Sequence, residues 1–271
     1  GFYMENLTFC LNATLPIFFT LILGYFFRRI GLFDDQFVSK MNKFVFVAAL
    51  PVLLFQDIAT VDIYSVWDGK MVIFCFVITL ASILISIGLS RFLRPSDIRG
   101  EFIQASYRSS AAILGIAIIQ NLYGNAGMAP LMIIASVPLY NVMAVVVLSF
   151  FCPGQKTLDR AVLLKTLKGI ITNPIILGIV AGMVWSLLRL PFPQILDSTA
   201  GNLAKTATPL GLMAMGGSLR FEKAFSRPIA TISCVFLKLI GYTALFLPLA
   251  IRFGFTADKL VSIIIMLGSA S

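Results

Sequence analysis

Residues 105–127 read ASYRSSAAILGIAIIQNLYGNAG. The stretch is apolar enough to enter hydrocarbon, yet Ser106, Ser109, Ser110, Gly115, Gln120 and Asn121 interrupt it. A helix facing lipid gains nothing from these residues. A span that breaks inside the membrane does, because it exposes main-chain groups and helix ends that a solute can use, provided protein covers them from lipid.

The rest of the chain supplies the membrane. Of 271 residues, 59% are hydrophobic and 12% charged, about half the charged share of a soluble domain. Apolar runs of about 20 residues, enough to cross roughly 30 Å of hydrocarbon, fall at 8–27, 37–57, 70–90, 106–123, 129–151, 169–188, 200–218 and 228–250. A ninth begins near Asp258 and reaches Ser271 too soon to cross by itself. The net charge of +9 sits in short clusters between these runs, with no basic and aromatic module for reading bases, so nucleic acid is not expected as a partner. Those clusters alternate. Arg28, Arg29, Lys40 and Lys43, then Arg91, Arg94, Arg99 and Arg108, then Lys156, Arg160, Lys165 and Lys168, then Arg220, Lys223 and Arg227 occupy every second connection. Basic loops stay in the cytoplasm, which predicts a multi-pass protein of the cytoplasmic membrane with its amino terminus outside.

A shift of 158 residues lays Pro16, Gly24 and Pro51 onto Pro174, Gly182 and Pro209. Five spans separate the copies, so the second must be inverted relative to the first. The expected fold is therefore an all-α integral membrane transporter with an inverted repeat of five plus five spans, 1–155 and 156–271, the second copy lacking its last span. The four prolines Pro16, Pro51, Pro174 and Pro209 are expected to break helices. The same shift carries Ser110 to Gly268, so the fourth and ninth spans are expected to break at matching depths and cross.

Candidate substrate-binding residues follow from that crossing. Ser109, Ser110, Gly115, Gly268, Ser269 and Ser271 line it if the breaks are functional; if they are not, the small residues merely allow close helix packing. Lys238 lies about ten residues inside the eighth span, where an ionisable group is expensive and a functional candidate; the alternative is that its long side chain snorkels to an interface. Arg108 stands at the mouth of the fourth span, either meeting an anion or anchoring a cytoplasmic end. Tyr140 and Asn141 place a hydroxyl and an amide in the fifth span, touching substrate or capping a broken neighbour. All twelve carboxylates fall in loops or at span ends and histidine is absent, so no carboxylate pair, histidine relay or metal set is visible. No cofactor and no catalysis are expected.

The segments NKFVFVAALPVLLF (42–55), YRSSAAILGIAIIQNLYGNAG (107–127), VPLYNVMAVV (137–146), ITNPIILGIVAGM (171–183) and TATPLGLMAMGGSL (206–219) together resemble bacterial members of the auxin efflux carrier family, along essentially the whole chain. The resemblance implies the fold of bile acid symporters and sodium/proton antiporters: a scaffold, here 8–57 and 169–218, and a transport domain, here 70–151 and 228–271, with crossed broken helices and an elevator motion, commonly in a homodimer. It also implies export of auxin-like compounds or organic acids such as malate or malonate. The family's first crossover usually has asparagine where Ser110 stands and proline where Ala117 stands, a departure that weakens the expected amide contact to substrate. The expected function is a carrier of small organic anions, with a proton or sodium as coupling ion left open. Two alternatives stand beside it: a sodium-coupled symporter or sodium/proton antiporter on the same fold, and a membrane receptor or sensor that transports nothing.

Overall fold

The computed structural model describes the backbone of residues 2–60, 64, 67–93, 98–151, 160–220 and 228–269. Among these residues the fold is entirely helical. In chain order the elements are α1 (Phe2–Arg29), α2 (Asp35–Phe44), a π-helical turn (Val45–Ala49), α3 (Leu50–Ala59), α4 (Gly69–Ser90), α5 (Arg99–Tyr107), a second π-helical turn (Ala111–Gly115), α6 (Ile116–Tyr123), α7 (Ala129–Phe151), α8 (Arg160–Ile171), α9 (Pro174–Leu187), α10 (Gln194–Gly217), α11 (Pro228–Phe236), a third π-helical turn (Leu237–Gly241), α12 (Tyr242–Arg252) and α13 (Ala257–Gly268). They form two compact units: 1–67, 112–130 and 174–220 in the first, and 68–111, 131–173 and 221–271 in the second.

Among the described residues, three helical stretches are long and apolar enough to cross a bilayer: Asp35–Ala59, Gly69–Ser90 and Pro228–Arg252. Shorter apolar helices cover Ile113–Tyr123, Ala129–Ala144 and Pro174–Leu187. The expected runs at 106–123 and 169–188 are thus not single helices. The first stops at Tyr107, and the second is divided by non-helical Thr172 and Asn173. The run at 200–218 lies within α10, whose opening turns carry Gln194, Asp197, Asn202 and Lys205 and dilute its apolar character.

The expectation of four proline breaks is corrected at three positions. Pro16 lies inside continuous α1 and Pro209 inside continuous α10, and only Pro174 begins a helix after non-helical residues. Pro51 is the second residue of α3, and the chain stays helical from 35 to 59 because the preceding turn widens: the Leu50 N–H reaches back to the Val45 carbonyl. An extra residue in that turn gives the proline ring room it lacks in a regular α-helix.

Close backbone contact holds the first unit together. A Cβ added to Gly24 of α1 would lie 2.1 Å from the Met213 carbonyl oxygen of α10, and one on Gly216 of α10 would lie 2.0 Å from the Leu21 oxygen. On the other pair, Cβ atoms at Gly178 and Gly182 of α9 would meet the Pro51 and Phe55 oxygens of α3 at 2.4 and 2.8 Å. Only glycine permits these approaches, and such packing replaces the hydrophobic drive that lipid removes. Polar bonds pin the second half of the interrupted span to the same unit. Thr208 Oγ1 donates to Gln120 Oε1 at 2.6 Å, and the Ala126 N–H donates to Asp57 Oδ2 at 2.9 Å.

The second unit packs around Ile83, Ile103, Tyr107, Tyr140 and Val147. Ser82 and Ser86 on α4 return their hydroxyls to the Ile78 and Ser82 carbonyls at 2.7 and 2.8 Å, so these two serines enter the core already satisfied. Tyr242 of α12 joins them: its hydroxyl donates to the Ser82 carbonyl at 2.9 Å and hydrogen-bonds Ser86 Oγ. At the start of α4, Asp68 caps the Met71 N–H at 3.0 Å and pairs with Lys259 at 2.6 Å. Lys70 donates to the Phe253 carbonyl at 2.5 Å.

Two expectations follow. Gly24→Leu or Gly216→Leu forces backbones apart and lowers the thermal midpoint in detergent, by at least the roughly 1–3 kcal/mol of ordinary overpacking, whereas Gly88→Ala, where a Cβ meets nothing within 4 Å, leaves it unchanged. The hydrogen bond from Lys259 holds the Asp68 carboxyl below its ordinary value. A lowered folded-state value contributes stability above the unfolded-state value and loses it as pH falls through the folded one. Wild type therefore loses a small increment of stability below about pH 4, and Asp68→Asn lacks that acid-sensitive step in thermal melts across pH.

Candidate functional site

In the second unit α5 ends at Tyr107, and the next three residues leave the helix, Arg108 in extended conformation. A helix end inside a membrane strands carbonyl groups and carries a partial negative charge. Lys238 answers it. Its ammonium donates to the Tyr107 carbonyl at 2.8 Å and to Ser109 Oγ at 2.6 Å, and the residue is only 3% exposed. The side chain turns into the protein, so the snorkelling alternative fails. Lys238 sits on the π-helical turn between α11 and α12, the kind of single-turn widening often found at functional sites. A lysine at mid-membrane costs about 2.5–3.5 kcal/mol, whereas each hydrogen bond to a charged group returns about 1.5–3 kcal/mol. Two such bonds offset the burial.

The same break touches α13. Ser109 Oγ donates to the Met266 carbonyl, and the Ser110 N–H donates to the Ser269 carbonyl at 3.4 Å. Helix α13 ends at Gly268, with Ser269 extended beyond it. Two helix ends therefore meet at 108–110 and 268–269, linked by main-chain and serine contacts, with one buried ammonium among them. Ser269 Oγ and Tyr107 Oη are buried without a hydrogen-bond partner among the described residues.

Of the expected site residues, Ser109, Ser110, Ser269 and Lys238 come together. Gly268 closes α13, and a Cβ there would lie 3.6 Å from Thr243 Oγ1. Tyr140 is buried on α7 with its ring centroid 5.8 Å from that of Tyr107, and Asn141 follows it half-buried. Arg108 is exposed, its N–H returned to the Gln104 carbonyl. Gly115 falls in the other unit, at the end of the second π-helical turn. Ser271 lies outside the described residues. Tyr107 and Met266 were not expected: they contribute carbonyls, which residue type does not announce. Tyr242, equally unexpected, braces Ser86 one helical turn past the lysine.

The profile of a family described as membrane transport protein matches residues 9–271. The chain belongs to that family. Among its relatives, the uncharacterized transporter YfdV of Escherichia coli (strain K12) is 25% identical over 86% of this chain and 76% of its own. A putative malonate transporter of Rhizobium meliloti (strain 1021) is 25% identical over 77% of this chain and 66% of its own. A lysosomal cholesterol signaling protein of Mus musculus is 26% identical over 81% of this chain but only 27% of its own length. With the apolar helices, family membership makes this a membrane transporter.

Ser109→Ala strands the Met266 carbonyl and removes an acceptor from Lys238. It is expected to cost about 1–2 kcal/mol in thermal unfolding in detergent. Ser106→Ala, which loses only a 3.4 Å contact to Cys234 Sγ, costs much less.

Proposed function

We propose that this transporter carries small organic anions, with the carboxylate held at the break by Lys238, Ser109 and Ser110. The observation that carries the reading is the Lys238 ammonium, buried and, among the described residues, bonded to two uncharged oxygens where two helix ends meet. An anion there meets a positive charge, hydroxyls and main-chain groups in a low-dielectric setting, where each contact counts for more than it does in water. The resemblance to a protein named as a malonate transporter agrees with this choice of substrate.

The inverted repeat belongs to the same proposal. Shifting by 158 residues turns the Gly24–Met213 approach into the Gly182–Phe55 approach, so the α1–α10 and α9–α3 pairs are counterparts, as two antiparallel copies require. The shift also takes Ser110 to Gly268 and Ala111 to Ser269, the two residues at the partner end of the crossing. In this reading the scaffold of 8–57 and 169–218, all of it but 169–173, falls in the first unit. The transport domain of 70–151 and 228–271, all of it but 112–130 in the second unit, moves the anion across the cytoplasmic membrane as an elevator, with the amino terminus outside. A signalling role has one observation in its favour, the likeness to the mouse protein, which this chain matches over about a quarter of its length.

Uptake of radiolabelled malonate into proteoliposomes tests the assignment. Wild type is expected to exceed empty liposomes, and Ser110→Leu, which fills the break with a bulky apolar group, to fall at least about tenfold. Equal uptake by the two removes the break from the mechanism.

A further inference from the structure

Lys238 has a feature that binding alone does not require. Its two partners are a carbonyl and a hydroxyl, so its positive charge is solvated but not cancelled. The ion pairs among the described residues lie elsewhere, Asp35 with Arg28 and Arg220 and Asp68 with Lys259, and none of them involves Lys238. On two residues of the same break, Ser269 Oγ and Tyr107 Oη are buried at 4% and 1% exposure without a partner among the described residues. One uncancelled charge and unused hydroxyls suit one carboxylate.

We infer that Lys238 is a built-in counter-charge for a singly charged carboxylate, and that this makes the protein an anion exchanger. The inference rests on the reading that the second unit carries the anion. Loaded with a monoanion, the site is neutral. Empty, it holds one unmatched charge in a low-dielectric interior, and moving that charge through hydrocarbon is slow. Both legs of the cycle are then fast only when an anion occupies the site, so import of one anion requires export of another. The charge count also selects substrate: a dianion leaves one negative charge unmatched, whereas a monocarboxylate, or a dicarboxylate with one carboxyl protonated or esterified, does not.

The test uses labelled monomethyl malonate, a monoanion, with proteoliposomes either preloaded with the unlabelled compound or left empty. Preloading is expected to raise initial uptake at least about tenfold, and malonate at alkaline pH to compete less well than its monomethyl ester. In Lys238→Gln, where the charge is gone, the stimulation by preloading falls to near one and apparent affinity drops. Lys238→Arg keeps the stimulation at a lower rate. Wild-type uptake that is indifferent to preloading overturns the exchange inference while leaving the carrier reading intact. Malonate competing as well as the ester overturns the single-charge assignment. Uptake no better than in empty liposomes under every condition overturns both readings. If Lys238→Gln fails to fold, judged by gel filtration and thermal midpoint, the preloading ratios of wild type and Lys238→Arg decide.

Discussion

One ammonium group answers the most costly feature of the second unit. Ending a helix within an apolar interior strands carbonyls that water would otherwise solvate, and an isolated lysine there is expensive too. Tyr107 and Lys238 bring these two liabilities within 2.8 Å, where each relieves the other. Ser109 extends the arrangement by accepting from the lysine and donating to the Met266 carbonyl, so three segments distant in sequence share one polar knot. In the same unit the hydroxyls of Ser82, Ser86 and Tyr242 are satisfied by the Ile78 and Ser82 carbonyls of α4.

The two units solve the membrane packing problem in different ways. The first relies on glycines that let helix backbones touch, with half-buried Gln120, Thr208, Asp57 and Gln56 hydrogen-bonded between its segments. The second relies on aromatic and branched side chains threaded with hydroxyls. The interrupted span belongs to both, since the chain passes from one unit to the other between Ala111 and Ala112. A helix broken at 108–110 can therefore serve two cores with different packing rules.

The interruption itself was legible because serine, glycine and amide side chains are conspicuous among apolar residues. That Lys238 lies well inside an apolar run was legible from its count along the chain. Its direction was not, since counting gives depth but not azimuth, and the π-helical turn that rotates it leaves no residue signature. The prolines misled for a related reason: a ring is easy to see, but the widened turn that accommodates Pro51 and the long shared face beneath Pro16 and Pro209 depend on three-dimensional packing. The start of α9 was missed because Thr172 and Asn173 interrupt an otherwise uniform apolar run by only two residues. Tyr242 and Ser86 are 156 positions apart, and neither neighbourhood suggests the other.

The glycine contacts of the first unit have a consequence for how this sequence can vary. Where a side chain meets a side chain, enlargement of one can be matched by reduction of the other. At Gly24 and Gly216 the obstacle is the carbonyl of Met213 or Leu21, which every amino acid carries alike. No second-site substitution can shrink a peptide bond, so these positions admit no compensatory partner, and drift there must stop at glycine or displace an entire helix.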